Sequence, residues 1–543
     1  MKKTTKLIAL FLAGILVFST MIIPASANTD VTNPAEQTLY TVLDKVVNGL
    51  VNAISAIVIG PRLQNVKDYK AEHFYEGSGN FITTPAAGAK WSLGYANASI
   101  QDGNELDGEH FVGGSLSVTR KVATEVRDDQ KVRTVAVSDG RGITVFAVLD
   151  AFGLANNSVQ EIRSRFQKIA DEKQWNITSV NVSVLHQHSC VDTFGMNGDI
   201  FKALFTAQFK NILGKTPDSG INPDFQEHLF QTVTDTMVNA VNNMTDGTLY
   251  YGSVDIAELI HDKRDPQAFD SRLNRLRFVP EDGSKETWLV QGCMHCVGKG
   301  AAGTVVTGDY PYYMEKYINE NANANLMYIL GAELAITSEY GDIQGDPDVM
   351  NQYNDDGQAR LATYGYTLAQ KVMSISNDTE VAPILNIKHS QVFVTVNNAI
   401  FKFAAKFGLL TNTVLRDGLQ LKVASEVGYC EFGTDLAVAI IPGELAPEIA
   451  FGGAMQAEDE LNWTGKGWDY PTFKDMAGDK NLIVFGITND QVGYILTDNS
   501  WHSIFTENEE IVATGNAAGS CIAEAFQATV NAAQDSIEPI YPV

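Results

Sequence analysis

Positive charge is scarce in this chain. Across 543 residues, 39 Lys and Arg stand against 65 Asp and Glu, a formal net charge of −26. So acidic a surface repels phosphate backbones, which argues against nucleic acid as a partner. Taken as a whole, it also disfavours charge-driven adhesion to anionic membranes. A neutral substrate is left open. Cysteine is scarce as well: Cys190, Cys293, Cys296, Cys430 and Cys521. An odd count leaves at least one thiol free or paired between chains, and a chain of this size needs no disulfide scaffold. A single Cys-x-x-Cys pair, Cys293 and Cys296, has no second pair to complete a structural zinc site. A redox role, a disulfide to a neighbour such as Cys190, and a flanking role around His295 remain open for it.

Other absences narrow the field further. The 45 glycines show no triplet period, no heptad is sustained and no repeat recurs, which excludes collagen, coiled coils and solenoids. There is no H-E-x-x-H helix, no G-x-S-x-G elbow, no P-loop and no strand-linked G-x-G-x-x-G. After residue 23 no apolar run is continuous enough to span a bilayer. Before it, Lys2, Lys3 and Lys6 precede the apolar run 7–23 and then Pro24-Ala25-Ser26-Ala27, the pattern of a secretory signal cut after Ala27. The expectation is a secreted protein. The next apolar stretch, 39–59, carries Asp44 and Lys45 at helical spacing. It reads as an amphipathic helix packed on the body, with a helix lying on a lipid surface as the alternative.

The composition that remains is globular, with 45% hydrophobic and 19% charged residues. β-type runs at 133–137 and 143–149 flank the turn Asp139-Gly140-Arg141-Gly142 and predict a hairpin. Helical periodicity marks 159–173, with Ser158 placed to cap it, and also 201–213, 225–243, 310–320, 357–376 and 513–535. Strands are expected at 180–185, 248–254, 276–278, 287–290, 326–330, 391–396, 419–425, 436–441, 482–487 and 494–496. Interleaved strands and helices predict a mixed α/β (α+β) fold with sheets flanked by helices. Length alone suggests three or four domains at about 150 residues each. No linker divides the chain, so one large domain is expected over 75–543, after a helical extension at 28–74. The acidic stretch 341–357 reads as a loop insertion, without the spacing of an EF-hand.

The sharpest chemical signal is Leu185-His186-Gln187-His188-Ser189 at the end of a strand. Residues i and i+2 share a strand face, so two imidazoles there can grip one metal, or one can bind while the other assists. Two unrelated surface histidines are the alternative. Pro442-Gly443-Glu444 directly follows an apolar strand, where a carboxylate is costly unless paired or metal-bound; a helix N-terminal glutamate is the other reading. His73, His110, His228, His261, His389 and His502 carry no motif.

Taken in order, these segments resemble the neutral (non-lysosomal) ceramidase family. Ile82-Thr83-Thr84-Pro85 and Gly94-Tyr95-Ala96 are similar to its I-T-x-P and G-Y-A, and the His pair to its T-H-T-H-S-G-P. Asp270-Ser271-Arg272-Leu273, with Arg264 upstream, resembles its D-P-x-L strand and arginine. His295 followed by Thr307-Gly308-Asp309-Tyr310-Pro311 resembles its second histidine and S-A-D-Y-P-G. Pro442-Gly443-Glu444 matches its P-G-E, and Gly486-Ile487-Thr488-Asn489 with Gly493-Tyr494-Ile495-Leu496-Thr497 its G-L-x-N and G-Y-x-x-T. The resemblance covers roughly residues 75–535 and implies a single ceramidase-type catalytic domain, here without the separate C-terminal immunoglobulin-like domain the family often carries. It implies one zinc ion per chain on His186, His295, Glu444 and Tyr494, with His188 assisting proton transfer and Arg264 nearby. Two segments differ from the family pattern. The serine-bearing G-x-x-G-[DN]-x-S-P-N segment corresponds to 331–339, where Thr337 or Ser338 takes the serine's place, and S-G-P becomes Ser189-Cys190-Val191. The implied activity is zinc-dependent hydrolysis of the amide bond of ceramide or a related N-acyl lipid. The alternatives are another amide or ester substrate on the same scaffold, or a non-catalytic surface-binding protein. Peripheral membrane contact and the oligomeric state are left open.

Overall fold

The computed structural model describes all residues except 1–30, 56–57, 115–120, 196, 199, 218–219, 299–302, 339–348, 350, 354, 507–509 and 538–543. The signal reading at 1–27 and most of the acidic stretch 341–357 lie outside the described residues.

Two sheets organise the chain. The first contains β1 (Trp91–Ser99), β2 (Lys131–Ser138), β3 (Ile143–Leu149), β4 (Ile177–Val184), β5 (Thr245–Asp255), β6 (Arg272–Pro280), β7 (Glu286–Gly292), β8 (Ala324–Leu330) and the short β9 (Thr379–Val381). Its order is β8-β7-β6-β5-β1-β2-β3-β4, with β9 on β5. Neighbours are antiparallel except at the two ends, where β8 runs parallel to β7 and β4 to β3. The second sheet contains β10 (Leu385–Val396), β11 (Val414–Asp417), β12 (Gln420–Phe432), β13 (Leu436–Ile440) and β14 (Asn481–Phe485), ordered β10-β12-β13-β14 with β11 on β12.

The first sheet curls over one face of the second. Phe432 of β12 packs on Trp91 and Phe146, and Phe485 of β14 meets Phe146 edge-on. Period-two alternation in the second sheet explains this. Leu436, Val438 and Ile440 face the first sheet, whereas Ala437 and Ala439 face a separate core under the terminal helix Ala518–Asp535. Helices cover the outside of the first sheet, Pro223–Asn242 on β1 and β2 and Asp309–Asn321 on β8. Gly94 permits the first of these contacts: a Cβ there would lie 2.1 Å from the Ala240 carbonyl oxygen.

The expected hairpin forms, pairing β2 with β3. The helix expected at 159–173 begins earlier, at Asn156, and Ser158 does not cap it. Tertiary contacts replace the local cap: the Asp490 carboxylate accepts from the Asn156 amide, and the Asn156 side chain donates to the Asn489 carbonyl. The five cysteines are all free thiols. The disulfide open to Cys190, Cys293 and Cys296 is therefore not formed. All three are buried, Cys190 donates to the Gln187 carbonyl and Cys293 to that of Asp270, and burial pushes each thiol up, which removes the thiolate a redox role requires.

The carboxyl ends of β4, β7, β8, β13 and β14 converge at one place. Gly331 binds back to Gly292, Gly486 to Leu330, Ile441 to Phe485 and Val184 to Ile487, each by a backbone hydrogen bond.

Candidate metal centre

His186 lies two residues beyond the end of β4 with φ 52, a left-handed conformation that breaks the strand's alternation. The two histidines of the motif still converge, their rings 4.7 Å apart. The reason is the local backbone rather than a shared strand face. Phe152 stacks on His186 at 4.4 Å, and its carbonyl accepts from His186 Nδ1 at 2.8 Å. His295 lies three residues beyond β7, and its Nδ1 donates to the Ile336 carbonyl at 3.1 Å. A carbonyl can only accept, so both Nδ1 atoms carry the proton. In the neutral form of each ring, Nε2 of His186 and of His295 therefore presents its lone pair inward.

Those two Nε2 atoms meet the same oxygen. Glu444 Oε2 stands 3.2 Å from His186 Nε2 and 3.2 Å from His295 Nε2. Two ligand atoms each about 2.0–2.1 Å from a tetrahedral ion lie about 3.3 Å apart. The spacing is thus what a shared cation requires, and without a cation or proton the lone pairs repel. Gln491 Nε2 donates to the other oxygen, Oε1, at 2.8 Å, which fixes the carboxylate plane. Burial opposes ionisation of Glu444, and positive charge on the two imidazoles, when they are protonated, outweighs it and holds the carboxyl below its ordinary range. Burial, reinforced by the other imidazoles, lowers His188 well below 6.5; burial also lowers His295. Both favour the neutral, ligating form.

His188 completes a group of three. The ligating nitrogens of His186, His188 and His295 lie within 4.8 Å of one another, an arrangement that can hold a metal ion. Neither ring nitrogen of His188 has a hydrogen-bond partner among the described residues. Buried polar atoms are normally satisfied, so both His188 nitrogens are available to a water, a metal ion or a substrate.

The remaining expected residues sit around this cluster. Tyr494 pairs in parallel register with Glu444 on a two-strand ladder, Glu444–Leu445 with Tyr494–Ile495, which directs the two side chains to one side. Gly443 allows that approach: a Cβ would meet the Gly493 carbonyl oxygen at 2.6 Å. Thr337 and Ser338 lie on Ile336–Ser338, the strand whose first carbonyl holds His295. The Thr337 hydroxyl donates to the His261 carbonyl at 3.1 Å, whereas Ser338 Oγ is buried without a partner among the described residues. Arg264 pairs with Glu448 at 3.1 Å, four residues after Glu444.

Sequence reasoning gave no role to Phe152, Gln491 or Glu333. Glu333 is fully buried, neither oxygen has a partner among the described residues, and burial together with the charge of Glu444 raises its carboxyl well above the ordinary range. A carboxylate inside the otherwise apolar run 329–336 was the signal available for it.

Two solved structures share this architecture. The neutral ceramidase of Pseudomonas aeruginosa superposes with a TM-score of 0.60 at 14% identity, over 84% of this chain and 77% of that one. A ceramidase in complex with C2 superposes with a TM-score of 0.59 at 12% identity, over the same shares of 84% and 77%. The fold is ceramidase-type. No protein-family model and no curated protein matches the chain. Within the ceramidase-type fold, the His and Glu cluster follows the ends of β4, β7 and β13, where five strand ends are joined by backbone hydrogen bonds.

Proposed function

We propose that the protein is a secreted zinc-dependent amidohydrolase of ceramidase type. It would cleave the amide of ceramide or a related N-acyl lipid to a fatty acid and an amine. The observation that carries this reading is the 3.2 Å approach of both His Nε2 atoms to one Glu444 oxygen, with their Nδ1 protons committed to carbonyls. His186, His295 and Glu444 would hold the zinc, with Tyr494 beside Glu444. Zinc at that position supplies a Lewis acid and an activated water at neutral pH.

The chain's own groups do the rest. Gln491 and the two carbonyls hold the ligands in orientation. Neutral His188, free of protein partners at both nitrogens, takes a proton from the water and returns it to the leaving amine nitrogen. Ser338 Oγ, without a partner among the described residues and on the strand whose Ile336 carbonyl holds His295, donates to the developing oxyanion, a role Thr337 cannot share while bound to the His261 carbonyl. Arg264 acts through Glu448 as a positioning residue. A different amide or ester substrate is the second reading. It is favoured by Glu333, whose carboxyl, buried in the segment that differs from the ceramidase pattern, is raised well above its ordinary range by burial and the Glu444 charge.

Elemental analysis of dialysed protein, with hydrolysis of ceramide beside a panel of N-acyl amides and esters, tests both. The expected result is about one zinc per chain and turnover of ceramide. Zinc with turnover of another substrate selects the second reading. No zinc, and none taken up on addition, overturns the hydrolase and leaves a binding protein.

A further inference from the structure

Thirteen large apolar side chains are substantially exposed among the described residues, and ten of them belong to one helical cap. The cap is built from the helices Pro34–Ser55, Ile200–Ile212 and Ala399–Phe407. Val51 and Ile54 of the first and Leu204 of the second pack on Ile400, Phe403 and Phe407 of the third. Two hydrogen bonds tie the pieces together: Gln208 donates to the Ile59 carbonyl at 3.0 Å, and Asn211 to the Phe407 carbonyl at 2.9 Å. With that face buried, the first helix still shows a second apolar stripe. Leu39, Val42, Leu43, Val46 and Leu50, at i, i+3, i+4, i+7 and i+11, are 37–55% exposed. Phe205, Phe209, Ile212 and Leu213 on the neighbouring helix and its end are 54–64% exposed, and Ile59 between them is 54% exposed.

Charge tells what covers this face. In a chain with 65 carboxylates to 39 cations, the three helices reverse the balance. They carry Lys45, Lys202, Lys210, Lys402 and Lys406 against Glu36 and Asp44, and Asp44 accepts a hydrogen bond from Ser503 of the body. Apolar side chains fringed by lysines are the composition of a helix that lies in the interface of an anionic bilayer. Among the described residues no helix is long and apolar enough to cross a membrane, so the cap would lie on the surface rather than span it. The overall negative charge does not oppose this, because screening limits its reach to about 8–10 Å. The cap also adjoins a cavity of about 400 Å³ lined by Leu63, Phe230, Ala405 and Leu409. Asn412 on its wall donates to the Gln491 carbonyl, and the Gln491 side chain holds Glu444.

We propose that this helical cap docks the protein on anionic lipid bilayers. The surface stands independently of whether the metal centre hydrolyses anything. The test is co-sedimentation with mixed phosphatidylcholine–phosphatidylglycerol vesicles and with pure phosphatidylcholine vesicles. It compares the full chain with two variants, so any contribution of residues 1–30 is common to all three. The wild type is expected to bind the mixed vesicles. Leu43→Gln, Val46→Gln, Phe205→Gln and Phe209→Gln combined should weaken binding at least about tenfold. Lys45→Gln, Lys202→Gln and Lys210→Gln combined should abolish the preference for the anionic vesicles. All substituted side chains are at the surface, so circular dichroism and melting should match the wild type. If the four-fold variant loses its melting transition, Phe205→Gln with Phe209→Gln carries the test. A wild type that binds neither vesicle, or apolar variants that bind as well as it does, overturns the proposal. So does light scattering in which the wild type is a dimer, the apolar variant a monomer and neither binds vesicles, which would assign the face to a second copy of the chain.

Discussion

Two of the buried carboxylates in this molecule, Glu426 and Glu444, are neutralised differently. In the core, Glu426 meets Arg163 through both oxygens at 2.6 and 2.9 Å. Burial opposes the Glu426 charge, and the guanidinium more than offsets it, so the carboxyl is lowered with every partner supplied by the chain. At the converging strand ends, Glu444 meets no Lys or Arg. Its partners are two imidazoles, whose Nδ1 protons are spent on carbonyls, and Gln491. Close by stand His188 and Glu333, which have no hydrogen-bond partner for either ring nitrogen or either carboxyl oxygen among the described residues. The first region is complete as folded. The second leaves a group of side chains that could hold a metal ion, and that separates a structural ion pair from a candidate site.

The largest test of this contrast substitutes one partner on each side. His186→Ala or Glu444→Gln should abolish bound metal and lower turnover on the order of a thousandfold, with the chain still folded. Arg163→Met should instead cost about 3–5 kcal/mol of stability, because Glu426 is left buried and alone, while metal per folded chain is unchanged. Urea denaturation and metal analysis on the same samples measure both. Metal loss from folded Arg163→Met would erase the distinction. A narrower change is His188→Ala, which should retain metal and lower turnover about 10²–10⁴-fold. Loss of metal in that variant would place His188 among the ligands beside His186 and His295.

Acidification gives a smaller and graded effect. His188 and His295 have lowered folded values, so their contribution is present above the ordinary 6.5 and is lost as pH falls below it. Glu444 is also lowered, so its own contribution persists to still lower pH, below the ordinary 4.5. Metal content should therefore hold at neutral pH and fall on acidification below 6.5, with the imidazoles before the carboxylate, as dialysis at decreasing pH will show. The smallest effect is expected at Asp490, which borders Gln491. Burial pushes its carboxyl from 3.8 up to about 7, against hydrogen bonds from Ser425, Asn156, Gln491 and Asn412. A raised carboxyl stabilises the fold below 3.8 and loses that contribution as pH rises through about 7. The melting temperature of Asp490→Asn relative to wild type should therefore rise by a few degrees between about pH 5 and pH 8. A pH-independent difference would show that the carboxyl is ionised throughout.

Much of the architecture follows from local pattern. The apolar run 436–440, the hairpin around Gly140 and the long amphipathic helices are period-two and period-3.6 signals, and they form where those periods place them. The site was legible as residue types at strand ends: the His pair, His295 and Glu444 each follow an apolar strand, and a polar group there needs a partner. What local pattern could not hold is which backbone carbonyl meets which imidazole. Phe152 and Ile336 lie 34 and 41 residues from the histidines they orient, and Gln491 lies 47 from Glu444. Those pairings arise only when strand ends from both sheets close on one another. The cap makes the same point from the outside. Periodicity marks 39–59 as apolar on one side, yet it cannot say that Val51 and Ile54 take the body's contacts while Leu43 and Val46 are left over. A stripe's existence is a property of the chain; what lies against it depends on the surfaces that folding leaves available.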